Sequence, residues 1–425
     1  MEYTEALEYI NGTSWLGKKP CLDRITQLLA KLGDPQDGIK FVHIAGTNGK
    51  GSCAAMIASI LKAAGYKTGL FTSPYLVRFN ERMRINGHEI ENGELCSLVA
   101  AIKPAADAME DHPSEFEMIT AAAMLYFKNN GCDIAVLEAG LGGRFDATNV
   151  ITSPECSVIM NIGLDHTKVL GGTVEKIAAE KAGIIKSGCP CVLYSQQESV
   201  MDVIRARCDE AGAPLTVTDP AALEPRFDSL DGQSFAYRGV EYALPLLGRN
   251  QLYNAAAALD AVEALRNRGF AVDAHAAEAG LYAAEWPARF EVVSDEPYFI
   301  VDAGHNPQGA QTAADNLKNY FPAQRRVILM GVMADKDWRG MADILSGAGS
   351  EFVAVTPSSP RALPAAELAA YIEGLGKDVT VCDTVEDGVR SALEKAGEDG
   401  MACAVGSIYM CGAVRGCFGL GGKTI

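Results

Sequence analysis

The stretch FVHIAGTNGKGS, residues 41–52, constrains this chain more than any other. Phe41, Val42, His43, Ile44 and Ala45 read as a short buried strand, and Gly46-Thr47-Asn48-Gly49-Lys50-Gly51-Ser52 then turns sharply into a helix expected over 53–62. Glycines let successive backbone N–H groups face one anion with no Cβ in the way, the helix N-terminus adds its positive end, and Lys50 supplies a point charge. That is the build of a phosphate cradle, with the Ser52 hydroxyl on offer to Mg2+. The spacing departs from the common G-x-x-x-x-G-K-[ST] loop: Ile44 stands five positions before Gly49, and Gly51 separates Lys50 from Ser52. A plain glycine turn with a solvated lysine is the competing reading, and two glycines flanking a lysine directly after an apolar strand weigh against it.

Ligands of parallel α/β sheets gather at the carboxyl edge of the strands, so the residues ending each apolar run matter most. A strand over 67–73 ends in Thr72-Ser73-Pro74, where the Ser73 hydroxyl could reach the same metal as Ser52, although serine before proline is also ordinary turn chemistry. A buried strand over 133–138 ends on Glu138, and a carboxylate there costs free energy unless it is metal-bound or ion-paired. The strand over 156–162 runs into Gly163-Leu164-Asp165-His166-Thr167, in which His166 is either a ligand or a satisfied loop histidine. In the helix over 173–186, Lys181 reads first as part of a solvated face with charge pairs four residues apart. Asn254 reads as a cap of the helix 255–267 or as a ligand contact, the cap being simpler. The polar stretches 75–91, with Arg78, Arg82 and Arg84, and 111–117 read as surface connections, and 235–246 as a hairpin.

The pattern restarts near Trp286. Strands near 299–302, 327–330, 352–355 and 402–405 alternate with helices near 309–320, 338–347, 365–375 and 385–395, a second, smaller α/β unit. Asp302-Ala303-Gly304-His305-Asn306-Pro307 closes its first strand, again at a carboxyl edge. Domains of 1–286 and 287–425 follow, with an active site between them.

A net charge of -17 with no basic stripe excludes nucleic acid as a partner, while an anionic small ligand would need the local positive pocket that the glycine loop offers. The twelve cysteines are scattered apart from Cys189-Pro190-Cys191, with no C-x-x-C pair, so reduced and mostly buried thiols are expected. The opening MEYTEALEYING is acidic and lacks an apolar core, and no run is long enough to span a bilayer, so a cytoplasmic protein without membrane contact is expected.

Taken in order, AGTNGKGS, TSP, LEAGLGGRFDATN, LDHT, EKAGI, ARF and DAGHNP resemble the folylpolyglutamate synthase and dihydrofolate synthase branch of the Mur ligase superfamily. The resemblance runs from the N-terminal helices to the last strand. It implies a Mur-ligase-like P-loop ATPase domain followed by a smaller Rossmann-like α/β domain, and an ATP-dependent amide ligase, expected as a monomer. By position, Thr47, Asn48, Gly49, Lys50 and Gly51 would hold the ATP phosphates, and Ser52, Ser73, Glu138 and His166 would surround Mg2+. Lys181 falls on the family's carbamylated lysine, against the solvated reading; Lys50, Lys181 and His305 would be the catalytic set. Asn254, Arg289, Asp302 and His305 match ATP-contacting positions. The pterin of dihydropteroate or a reduced folate would be held by KKPCLDR at 18–24, by Ser114, Glu115, Phe116 and Glu117, and by Phe145, Asp146 and Ala147, with L-glutamate as the amine. Departures from the family pattern fall at Phe145, Ala139 and Cys21, mainly on this pterin side.

Overall fold

A computed structural model of the chain describes residues 1–13 and 20–421. Lys18 and Lys19 of the KKPCLDR segment lie outside the described residues.

The first sheet is built from β1 (Lys40–Ala45), β2 (Thr68–Phe71), β3 (Met83–Ile85), β4 (His88–Glu89), β5 (Ile134–Glu138), β6 (Cys156–Ile159), β7 (Cys191–Leu193) and β8 (Leu215–Val217). Their order across the sheet is β4-β3-β2-β5-β1-β6-β7-β8. The six strands from β2 to β8 in that order run parallel, and β3 and β4 add an antiparallel edge. Alternation along β1 explains the layers: Val42 and Ile44 face one core with the helices Lys50–Ala63, Arg249–Asn267 and Ala274–Tyr282. Phe41 and Ala45 face the opposite side, where helices Tyr3–Asn11, Asp23–Lys31, Asn92–Asp107 and Glu115–Asn129 cover one half and Val174–Lys181 and Glu198–Ala211 the other.

β9 (Leu223–Ser229), β10 (Gly232–Tyr237) and β11 (Val240–Leu244) form a separate antiparallel meander, so the expected hairpin has a third strand. The exposed residues of β9 blur its alternation, which is why the sequence pattern hides it.

The last sheet has β12 (Glu291–Asp295), β13 (Tyr298–Asp302), β14 (Arg326–Met330), β15 (Glu351–Ala354), β16 (Val379–Val381) and β17 (Met401–Val405), ordered β12-β13-β17-β14-β15-β16. Its four central strands are the four expected ones; β12 and β16 are half-buried edges that carry little apolar signal. Helices Pro307–Tyr320, Trp338–Ser346 and Ala365–Gly374 cover one face, and Val385–Ala396 and Ile408–Cys417 the other. Asn306 accepts from the Gly309 N–H and Pro307 opens the helix, which pins its start just after β13.

Two expected surface connections are structural instead. Residues 75–91 supply β3 and β4, with Phe79, Asn80 and Arg82 buried. Glu115 and Glu117 lie in the first turn of Glu115–Asn129, where Ser114 caps the helix. All twelve cysteines are free and most are buried. Among the described residues no helix is long and apolar enough to cross a membrane.

Candidate active site

The register of the first sheet brings β1, β2, β5 and β6 to a common carboxyl edge, with Ile44 beside Glu138 and Phe71 beside Leu137. There the chain leaves β1 through Gly46 and enters the helix at Lys50, three residues earlier than the sequence pattern indicates. Gly49 caps that helix at φ +85°, a left-handed conformation, and a Cβ there would stand 2.6 Å from Asn254 Oδ1. The first-turn amides of Gly49, Lys50, Gly51 and Ser52 precede the first intrahelical bond, from the Cys53 N–H to the Gly49 carbonyl. The amides of Thr47 and Asn48 are already spent on the Asn161 carbonyl, at 2.7 and 3.2 Å. These two residues shape the loop, and the four amides after them offer the anion site.

A cavity of about 270 Å³ lies over this edge. Its wall includes residues 46–52, Ser73, Glu138, His166, Lys181 and Asn254 from the first part of the chain, and Arg289, Asp302 and His305 from the last sheet. The expected nucleotide, metal and catalytic residues therefore share one chamber. Asn254 lies in the second turn of Arg249–Asn267 and is buried against Gly49, so it is not a cap; its amide donates to Gln251 Oε1.

Electrostatics at the edge follow from burial. Lys50 Nζ stands 3.6 Å from Glu138 Oε1, and the Ser73 N–H donates to the other oxygen of Glu138 at 3.2 Å. Burial raises the pKa of Glu138, with Lys50 opposing it. Lys181 is 4% exposed and donates to the Gly46 carbonyl at 2.6 Å, which overturns the solvated-face reading. Burial, with the Lys50 charge second, lowers its pKa to about 7.

Among the described residues no three His, Cys, Asp or Glu side chains gather as a metal cage. Mg2+ is ordinarily held through one or two carboxylates, with waters and substrate phosphates completing the octahedron, so the Ser52 and Ser73 hydroxyls and the Glu138 carboxylate beside a phosphate loop fit that ion. His166, on the same wall, sits at φ +49° with Nε2 3.4 Å from Lys336 Nζ. Burial and the Lys336 charge lower its pKa to about 4, so the ring is a neutral donor atom set at neutral pH.

The last sheet contributes a tight knot. Asp302 accepts from the Phe290 and Gly304 N–H groups, at 2.9 and 2.8 Å, and so holds the segment carrying Arg289 over the cavity. His305 Nε2 lies 3.6 Å from Asp165 Oδ2, and Lys336 Nζ donates to Asp165 Oδ1 at 2.5 Å. Although burial opposes ionisation, His305, Lys336 and His166 hold Asp165 well below the usual carboxylate range. Asn48 joins the same seam, donating to Gln308 Oε1 at 2.7 Å and accepting from Asn306 at 3.1 Å. Asp165, Lys336, Asn306 and Gln308 are absent from the sequence-derived site. Lys336 follows β14 at its carboxyl edge, the same rule that singles out Asp302.

The expected pterin set lies beside the cavity rather than on its wall. Ser114 and Glu117 form a reciprocal capping box, and Arg24 clamps Glu117 with Nε 3.1 Å from each oxygen. Phe116 packs on Gly140, which does line the cavity. Asp146 accepts from the Leu141 and Thr148 amides and is buried, with Ala147 buried beside it, whereas Phe145 is 47% exposed.

This geometry matches known proteins over the whole chain. Residues 44–262 match the Mur ligase middle domain and 288–408 the Mur ligase, glutamate ligase domain. A dihydrofolate synthase/folylpolyglutamate synthase of Bacillus subtilis is 36% identical, covering 97% of this chain and 98% of its own. The folylpolyglutamate synthase of Lacticaseibacillus casei is 37% identical over all of both chains. Among solved structures, Mycobacterium tuberculosis folylpolyglutamate synthase complexed with ADP superposes with a TM-score of 0.90 at 32% identity, covering 98% of each chain. Escherichia coli FolC in complex with DHPP and ADP gives 0.87 at 30%, covering 98% of this chain and 97% of that one. The chain belongs to the Mur ligase family, in its folylpolyglutamate synthase and dihydrofolate synthase branch.

Proposed function

We propose that this chain is an ATP-dependent carboxylate–amine ligase that adds L-glutamate to reduced folates and to dihydropteroate. The observation that carries this reading is the shared chamber, in which the Lys50 loop, Glu138, Ser73 and Lys181 meet Arg289, Asp302 and His305. The names of its relatives, and the ADP and DHPP in the structures of its neighbours, support the same substrates.

A carboxylate is a poor electrophile. In this reading its oxygen attacks the γ-phosphorus of ATP, ADP leaves, and an acyl phosphate forms. The amides of Gly49 to Ser52 and the Lys50 ammonium hold the phosphates and spread the transferring charge, with Thr47 and Asn48 setting the loop. Mg2+ when bound adds Lewis-acid charge at the phosphoryl oxygens, and Ser52, Ser73, Glu138, His166 and a carbamylated Lys181 are its proposed ligands. Carbamylation needs the free amine: Lys181 Nζ adds to the carbon of CO2, a proton leaves, and an anionic oxygen ligand results. The lowered pKa of Lys181 supports it. The amine of L-glutamate then attacks the acyl carbon, loses a proton, and phosphate departs. Asn254 would contact the nucleotide from beside Gly49, and Arg289, Asp302 and His305 would close over it and keep water from the acyl phosphate. Residues 114–117 and 145–147 would flank the pterin, with the exposed Phe145 ring as a stacking surface.

The division into domains 1–286 and 287–425, a monomeric state and a cytoplasmic location belong to this proposal. The test is phosphate release from ATP with Mg2+ and L-glutamate, comparing dihydropteroate with tetrahydrofolate and leaving out each component in turn. Stimulation by both is the expected result. Stimulation by neither sinks the folate reading.

A further inference from the structure

Arg82 is 9% exposed, and among the described residues its guanidinium makes no ion pair or hydrogen bond; its Nε is buried without a partner. Residues 82–85 alternate, with Met83 and Ile85 in the core and Arg82 and Arg84 on the other side. The Arg82 carbonyl accepts from the Thr72 N–H at 3.1 Å, which sets the arginine's backbone next to Thr72 and Ser73, two residues of the cavity wall, with Arg82 itself just behind that wall. Arg84 lies on that wall itself, also with an unpartnered Nε, 5.7 Å from the Trp286 ring. Arg82 packs on Tyr75 and Phe79, with ring centroids 5.1 and 5.5 Å away. Two ring faces replace only part of the hydration that a buried cation loses.

An unpaired guanidinium at such a place is a ready bidentate partner for a carboxylate that arrives with the ligand. Glu115 and Glu138 attract Arg82 only from a distance, without a direct contact. The phosphate loop already has Lys50 and four amides for the nucleotide. What remains is the acceptor substrate, whose carboxylate must reach the phosphoryl group near Ser73 and Glu138. An acceptor ending in glutamate carries a second carboxylate, the α-carboxylate, three carbons from the reacting one. Dihydropteroate carries none.

We propose that Arg82 binds the α-carboxylate of the terminal glutamate on a folate acceptor, and so sets the preference for chain extension over the first addition. This rests on the ligase reading above. Tyr75, 39% exposed and the more exposed of the two rings on the guanidinium, is the side chain that would move aside for the ligand.

The experiment compares tetrahydropteroylglutamate with tetrahydropteroyl-4-aminobutyrate, acceptors that differ only in the α-carboxylate, in the wild-type chain and in Arg82→Met and Arg82→Lys. Wild type is expected to favour the glutamate acceptor in kcat/KM by about 10- to 100-fold, the range of a charge-assisted hydrogen bond. Arg82→Met is expected to bring that ratio close to one, chiefly through KM, and Arg82→Lys to restore part of it. Thermal unfolding keeps a structural role distinguishable: removing an unpaired buried charge should leave the midpoint of Arg82→Met unchanged or higher. An unchanged ratio in both variants overturns the proposal, as does a lowered midpoint in Arg82→Met with no recovery of the ratio in Arg82→Lys. No turnover of either acceptor by the wild-type chain removes the ligase reading itself, a separate outcome.

Discussion

Lys181 Nζ lies 2.6 Å from the carbonyl oxygen of Gly46, so a buried amine from the end of the helix Val174–Lys181 touches the first residue of the phosphate loop. Its pKa near 7, lowered by burial and by Lys50, leaves a large fraction of free amine at neutral pH. Turnover is expected to rise with pH through about 7 and to fall when CO2 is stripped from the buffer. Lys181→Met should lose at least about 100-fold in kcat and the CO2 response with it. Phosphate release across pH, with and without bicarbonate, checks both. Stability carries the same sign: the unfolded chain binds the extra proton above pH 7, so the folded state gains as pH rises from there toward the ordinary lysine value.

Replacing Lys50 with Ala is expected to abolish turnover and to leave Glu138 buried without its cation. The 3.6 Å pair is nearly dry on the Glu138 side, and its loss should cost about 1–3 kcal/mol in the denaturation free energy. Near-normal ligation by that variant would contradict the role given to the loop.

Gly49→Ala tests the loop through its backbone. A side chain at φ +85° costs about 1–2 kcal/mol, and its Cβ would collide with Asn254. Calorimetry with an ATP analogue should show affinity down by about tenfold or more, while the thermal midpoint falls by a few degrees.

Asp165→Asn removes the shared partner of Lys336 and His305. The expected loss is about 1–3 kcal/mol at pH 7. Because the folded pKa of Asp165 is depressed, its contribution is complete above about pH 4 and is lost only as pH falls toward that folded value. The gap between wild type and variant in urea melts should therefore narrow in acid below about pH 4, with a higher KM for ATP throughout.

Local chemistry explains what was legible beforehand. β1 is an apolar run that breaks into a glycine loop, and β5 and β13 are apolar runs closed by one carboxylate, Glu138 and Asp302, patterns that mark a carboxyl edge without any knowledge of tertiary contacts. Lys181 and Asn254 went the other way. Each sits in a helix whose pattern is that of a surface face or cap, and only the packing of Gly46 and Gly49 against them reveals burial. Asp165 and Lys336 are 171 residues apart, and nothing in either neighbourhood announces the other. Residues 75–91 look solvated because their charges are counted one by one, whereas residues 82–85 set Arg82 and Arg84 on one side and the apolar Met83 and Ile85 on the other.

Trp286 packs so closely on Gly51 that a Cβ at that glycine would stand 2.5 Å from the indole. With three tryptophans in the chain, this one alone rests on the phosphate loop within the described residues. Its emission is therefore expected to change when the loop fills, which would make the protein its own optical gauge of nucleotide arrival, read without a label and independently of whether any bond has been made.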